Sequence, residues 1–286
     1  MALKVGIQLY SVRDLMDRNP LGTIGQVADA GYRYLETANH RALEDDGVGF
    51  GVSPEELNEV LARSRSKIIS AHIFPFCEEN YKKVVEYNQK IGNHTVVFPM
   101  EVFRDYDDTM RKIETYEKMG KMAAEEGMRF LYHNHYQELQ EFHGHKVLDL
   151  IVENTDPAHV NLELDTFWVL RGGVDPVELM KRYGTRIKML HQKDFAKDTK
   201  TPVNMFDVVG KETYITREVF NQYKCNDDFV EIGYGQMDIQ KIIDTALEIG
   251  SIEYIVLEQD ATKLDQLESV KRSMEGFRKF EGIVWE

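Results

Sequence analysis

The chain has 286 residues, a formal net charge of −14, and 42% hydrophobic and 29% charged residues. So acidic a balance speaks against nucleic acid as the main partner, because counterion release needs a basic surface. Without a long uncharged apolar run, a membrane span is excluded as well. Length alone leaves either two modest domains or one (β/α)8 barrel. Cys77 and Cys225 make neither a disulfide framework nor a zinc-ribbon spacing. The opening run enters a strand-like stretch rather than a signal peptide, so the expected location is cytoplasmic.

Val5 to Tyr10 reads as a first strand, and Leu21 to Ala30, with Ile24, Val27 and Ala28 at helical spacing, as the helix after it, stopped at Gly31. The unit then repeats. Tyr32 to Thr37 is a second strand, followed by a Gly-rich loop and by Ser53-Pro54-Glu55-Glu56, which combines a cap, a first-turn proline and an acid three residues after the cap. Lys67 to Ile73 and Thr95 to Met100 are the third and fourth strands, around a helical stretch from about Glu79 to Gln89. Asp108 to Glu126 is an amphipathic helix ended by Gly127. Arg129 to His135 is the fifth strand, Lys146 to Glu153 a helix and Val160 to Thr166 the sixth strand. Asp175-Pro176-Val177-Glu178 opens a capped helix that Gly184 closes before the seventh strand, Ile187 to His191.

From about Phe195 to Gln236 the rhythm breaks, as expected of an elaborated loop over a pocket. A helix from Met237 to Glu248, an eighth strand from Tyr254 to Glu258 and a last helix from Leu264 to Phe280 complete eight units. Apolar strands alternating with amphipathic helices in that number predict an α/β fold, a closed (β/α)8 TIM barrel forming a single domain over 1–286.

In such a barrel the C-terminal strand ends carry the chemistry. Those positions hold Glu36, His40, His72, Glu101, His133, His135, Glu138, Asp165, Trp168, His191, Lys193, Glu258 and Asp260. Five of the nine histidines fall there, which nothing in barrel packing requires. Asp165, His191 and Glu258 offer oxygen, nitrogen and oxygen from three consecutive strands, a mix suited to Mn, Co, Zn or Mg. The fourth ligand is expected from strand five. Glu138 is preferred to His133, because three carboxylates and one histidine leave a hard site at which a sugar hydroxyl can exchange with water. Each residue alone is more simply a cap or a hydrogen-bonded loop residue, and the joint occurrence carries the argument. Trp168 is expected to grip a sugar's apolar face, with Glu36, His40, His72 and Glu101 as further substrate contacts. Lys193 follows His191 by two residues and shares its strand face. The two glycines of Glu231-Ile232-Gly233-Tyr234-Gly235 would let backbone approach a ligand closely.

The runs Gly6-Ile7-Gln8-Leu9-Tyr10-Ser11-Val12-Arg13, Tyr132-His133-Asn134-His135, Leu164-Asp165 to Trp168 with Gly172-Gly173-Val174-Asp175-Pro176, His191-Gln192-Lys193-Asp194, Gly233-x-Gly235 and Glu258-x-Asp260 together resemble the sugar phosphate isomerase/epimerase family of xylose-isomerase-like TIM barrels. The resemblance implies one divalent metal, commonly Mn, held by Asp165, His191, Glu258 and a group from strand five, where many relatives carry Glu and this chain carries His133. It also implies a sugar or keto-sugar substrate and, in some relatives, a partner subunit or homo-oligomer.

The expected chemistry is proton abstraction beside a carbonyl through an enediolate, with Glu258 and His133 as the acid/base pair and Lys193 and His135 orienting the sugar oxygens. A lyase or dehydratase acting on a 3-keto sugar shares that intermediate and is the first rival. An endonuclease IV-like nuclease is a remote second, since it needs a multi-metal cluster and a basic groove.

Overall fold

A computed structural model describes residues 3–285. Eight parallel strands close into one barrel: β1 (Lys4–Gln8), β2 (Tyr34–Asn39), β3 (Lys67–Ile73), β4 (Thr95–Phe98), β5 (Arg129–His133), β6 (Val160–Asp165), β7 (Ile187–Gln192) and β8 (Tyr254–Leu257), with β1 paired to both β2 and β8. The expected TIM barrel is therefore the observed fold. No helix of the described residues is long and apolar enough to cross a membrane.

Helix starts follow the local signals. Ser53 forms a full capping box with Glu56 before the helix Pro54–Ser64, and Asp175 accepts from Val177 and Glu178 N–H groups before Pro176–Tyr183. The outward strand residues, such as Ile7, Leu35, Ile73 and Leu164, pack under the helices in one continuous apolar layer.

Inside the barrel the pleat sets a second order. Tyr34, Leu131, Met189 and Val256 belong to a separate apolar cluster, and each stands two residues before Glu36, His133, His191 and Glu258. Because residues two apart share a strand face, the apolar cluster fills the N-terminal end of the barrel and the charged residues lie directly above it.

Two of the boundary shifts relative to the sequence reading bear on the site. The second strand runs to Asn39, so Glu36 lies within it rather than at its end. Beyond Asp165 the chain turns at once into the short helix Thr166–Arg171, whose N-cap is the Asp165 carboxylate itself, accepting from the Trp168 N–H at 2.8 Å.

The excursion after β7 is ordered by two buried acids. Asp194 accepts backbone N–H groups from Phe195, Gly233, Gly235 and Met237 at 2.8–3.1 Å. Asp228 takes the Arg171 guanidinium at 2.7 Å and the Thr199 hydroxyl at 2.5 Å. Between them the helix Arg217–Tyr223, capped by Thr216, lies over the barrel mouth.

Candidate active site at the barrel mouth

Two layers of charged side chains are stacked inside the barrel. The lower one comprises Glu36, His72, Glu163 and His191, and the upper one His133, Asp165, Glu258 and again His191; within each set the ligand-type atoms all lie within 4.8 Å of one another. Lys193 joins the upper layer, its ammonium touching both Asp165 Oδ2 and Glu258 Oε2.

The lower layer is almost fully paired. Glu36 Oε1 accepts from Gln8 Nε2 at 2.7 Å and pairs with His191 Nε2 at 2.6 Å, while Oε2 accepts from the Ser70 hydroxyl at 2.5 Å. His72 Nε2 lies 2.7 Å from Glu163 Oε2 and 3.1 Å from Glu36 Oε1. Burial would push the His72 imidazole down, but Glu36 and Glu163 outweigh it and raise it to about 9. The same contest, against Glu163, Glu36 and Glu258, puts His191 well above the usual histidine range. Burial opposes ionisation of Glu36, yet His72 and His191 hold it well below the usual carboxylate range.

The upper layer is left open. His133 Nδ1 sits 3.0 Å from the Pro99 carbonyl, an acceptor only, so Nδ1 carries a proton and the ring is turned with Nε2 toward the interior. That Nε2 is buried without a hydrogen-bond partner, 3.5 Å from Asp165 Oδ2 and 3.9 Å from Glu258 Oε2. His191 Nε2 faces only carboxylates, which leaves Nδ1 turned to Glu258 Oε2 at 3.1 Å. Despite burial, Lys193 and His133 lower Asp165, and Lys193 and His191 hold Glu258 well below the usual range. Two imidazole nitrogens and two ionised carboxylates thus converge, with His133 Nε2 unpartnered among them, a donor set that fits a divalent cation. Lys193 is the cation that contacts both carboxylates here, and Glu36 beneath His191 is the kind of outer partner that fixes a metal-binding imidazole.

Above lies a cavity of about 310 Å³ whose lining includes Tyr10, His40, His72, His133, His135 and Glu258. Arg217, Phe220, Asn221 and Lys224 close it at helical i, i+3, i+4, i+7 spacing. Burial, with His133 and Lys193 adding to it, pushes the His135 imidazole well below the usual range, so it stands neutral in the cavity wall.

Other expected residues fall outside this constellation. Glu138 turns away in a 3-10 turn, its oxygens taken by the Tyr132 hydroxyl at 2.7 Å and the His135 N–H at 2.8 Å, and belongs to neither donor set; the strand-five donor beside Asp165 is His133. Trp168, expected against the sugar, is 1% exposed behind His135 and Phe220 and does not line the cavity. Glu101 faces Lys112 at 3.5 Å, also away from the cavity. Glu36 lies beneath the floor, whereas His72 and His40 reach the cavity. Gly233 and Gly235 bring their backbone to Asp194 rather than to a ligand, and a Cβ on Gly235 would stand 2.1 Å from Asp194 Oδ1. Sequence reasoning missed Glu163, although it sits two residues before Asp165 and so on the same inward face.

Known proteins share this architecture. An inosose dehydratase from Lacticaseibacillus casei is 28% identical over 165 residues, spanning 57% of this chain and 51% of that protein's length. The chain therefore matches about half of that relative. The crystal structure of a sugar phosphate isomerase/epimerase from Parabacteroides distasonis superposes with a TM-score of 0.76 at 23% identity, covering 99% of this chain and 96% of the other. The IOLI protein with a bound zinc atom superposes with a TM-score of 0.70 at 16% identity, covering 97% of each. At these identities the two structures speak for the fold. The xylose isomerase-like TIM barrel family matches residues 24–280, and the chain belongs to it.

Proposed function

We propose that the protein is a divalent-metal-dependent isomerase or epimerase that moves a proton at the carbon beside the carbonyl of a sugar or keto-sugar. The observation that carries this reading is the convergence of His133 Nε2, Asp165, His191 and Glu258, with that imidazole nitrogen unpartnered, beneath a cavity lined by further titratable groups. His133, Asp165, His191 and Glu258 would hold the metal. Manganese is the first candidate, with magnesium, cobalt or zinc as the others, and the zinc in the IOLI structure supports an ion of this class. When bound, a divalent ion supplies stabilisation of the negative charge that builds on substrate oxygens as the proton leaves.

The chain's own residues do the rest. Glu258 is kept ionised and borders the cavity, so it accepts the proton on one face of the substrate. His135 is kept neutral in the cavity wall and serves as the second proton-transfer group, taking the part that the sequence reading assigned to His133. Lys193, buried and outside the cavity lining, neutralises Asp165 and Glu258 and sets the charge of the donor set, in place of the substrate contact that the sequence reading assigned to it. The helix Arg217–Tyr223 closes the mouth and excludes water.

The inosose dehydratase relative favours a second reading, in which the same carbanion expels a group on the next carbon. Incubation with a panel of keto sugars in deuterated water tests both. Deuterium appearing beside the carbonyl in recovered sugar supports the isomerase reading, and loss of water or aglycone supports the lyase. Failure of every keto sugar to exchange or eliminate, with Mn, Mg, Co and Zn each supplied, would remove both.

A further inference from the structure

The opposite end of the barrel carries a feature the proposed chemistry does not use. In a chain of net charge −14, cations stand at the starts of five strands: Lys4 opens β1, Arg33 precedes β2, Lys67 opens β3, Arg129 opens β5 and Lys188 follows the first residue of β7. A parallel barrel brings all its strand starts to one face, so these residues gather at the N-terminal end.

Their density is greatest around β2 and β3. The Lys67 N–H donates to the Arg33 carbonyl at 2.9 Å, setting the two side by side. Arg33, Tyr34, Arg65, Ser66 and Lys67 line a concavity of about 430 Å³. Its floor is the buried Tyr34 ring, with the Lys67 ammonium 5.0 Å from the ring centre. An Arg33 N–H donates to the Ala28 carbonyl at 2.5 Å, which pins the guanidinium at the rim. Among the described residues none of Arg33, Arg65, Lys67 and Arg129 forms an ion pair, whereas Lys4 meets Glu253 at 3.8 Å. Arg65 occupies the left-handed position that ends the helix Pro54–Ser64, with φ of 54°, where glycine sits without strain, so a long cationic side chain stands at the rim against the backbone preference. Across the face, Lys188 is pushed down by burial, with Arg129 and Arg186 adding to it, as in a region of excess positive charge.

We propose that this concavity is a second binding site, taking a phosphate group of more than one negative charge between Arg33, Arg65 and Lys67. Three cations around one small hollow match the several acceptor oxygens of such a group, and guanidinium forks suit them best. Its position at the barrel's far end makes it independent of the reading given for the mouth.

Titration calorimetry of the full chain with inorganic pyrophosphate at low ionic strength tests the proposal. Saturable one-site binding is expected, weakening with added salt and at least tenfold weaker in the double variant Arg65→Gly/Lys67→Ser. Both residues are exposed and glycine relieves the Arg65 backbone, so the variant folds, which thermal unfolding verifies. Vesicles carrying phosphatidylinositol 4-phosphate separate the sources: flotation lost in the same variant assigns the group to a lipid headgroup, and pyrophosphate binding without flotation assigns it to a soluble phosphate. Absence of saturable binding to either probe, or equal affinity in wild type and variant, overturns the site.

Discussion

Glu36 and Glu258 both face the barrel interior and both touch His191, yet their surroundings differ. In the lower layer Glu36 is met by Gln8, Ser70, His72 and His191, and each ion there has an opposite charge within hydrogen-bond distance. In the upper layer His133 presents a bare Nε2 toward Asp165 and Glu258, and a single lysine holds the two carboxylates together. A satisfied buried network gains nothing by changing partners, whereas an unsatisfied one can exchange a side-chain cation for a ligand. The lower layer is therefore the support, and the upper layer is where chemistry can occur.

The sharpest way to break this contrast is to remove one carboxylate from the support. Glu36→Leu leaves His72 and His191 buried with less opposite charge, and breaking such a pair costs about 3–5 kcal/mol. Urea unfolding should read that loss directly, and a stability unchanged within about 1 kcal/mol would mean that the lower layer supports nothing. His133→Ala should behave in the opposite manner. It frees the Pro99 carbonyl and gives up ring contacts with His72, His135 and His191, a stability cost of about 1–3 kcal/mol, but it removes the proposed metal donor, so bound metal by elemental analysis should fall and turnover of the active keto sugar should drop about a hundredfold or more. Full metal content in that variant would return the fourth-ligand position to Glu138.

A third buried acid sharpens the comparison from outside the barrel. Asp194 neighbours Lys193 in sequence but points to the opposite side of the strand end, where four backbone N–H groups satisfy it. Gly235→Ala forces a Cβ onto that carboxylate and the Phe195 carbonyl. The excursion must shift to relieve it, at about 1–3 kcal/mol of stability. The helix Arg217–Tyr223 moves with the excursion, so the KM for the substrate should rise while metal content holds. An unchanged melting temperature and KM would separate the Gly-x-Gly turn from the cover over the mouth.

The two layers also mark what was legible beforehand. Asp165, His191 and Glu258 were readable because each ends an apolar run, and a barrel topology brings such ends together. Glu163 was hidden within its run: Leu162-Glu163-Leu164 scans as a strand interior, and only the period of two shared with Asp165 reveals its inward face. The choice of His133 over Glu138 rested on tertiary contacts invisible to pattern, namely the Pro99 carbonyl that orients one and the Tyr132 hydroxyl that captures the other. Trp168 was placed at the mouth by its nearness to Asp165, but the helix that begins at once after β6 carries it behind His135.

Glu138 supplies the smallest effect, and a test in pH. Burial raises its carboxyl to about 7, against the help of the Tyr132 hydroxyl and the His135 N–H. An unfolded glutamate titrates near about 4.3. Between those values the native state therefore binds more protons than the unfolded state, so this residue's contribution to stability is fully present below about pH 4 and is lost as pH rises through 7. Full conversion of the difference would give about 4 kcal/mol, an upper bound once relaxation and water entry are allowed for, and about 1–2 kcal/mol is the expected size. Glu138→Gln replaces the group with one that stays neutral, so relative to wild type it should gain stability between pH 5.5 and pH 8. A difference that stays constant across that range would mean the carboxyl titrates normally, and would reopen the case for an ionised Glu138 turned toward the upper layer.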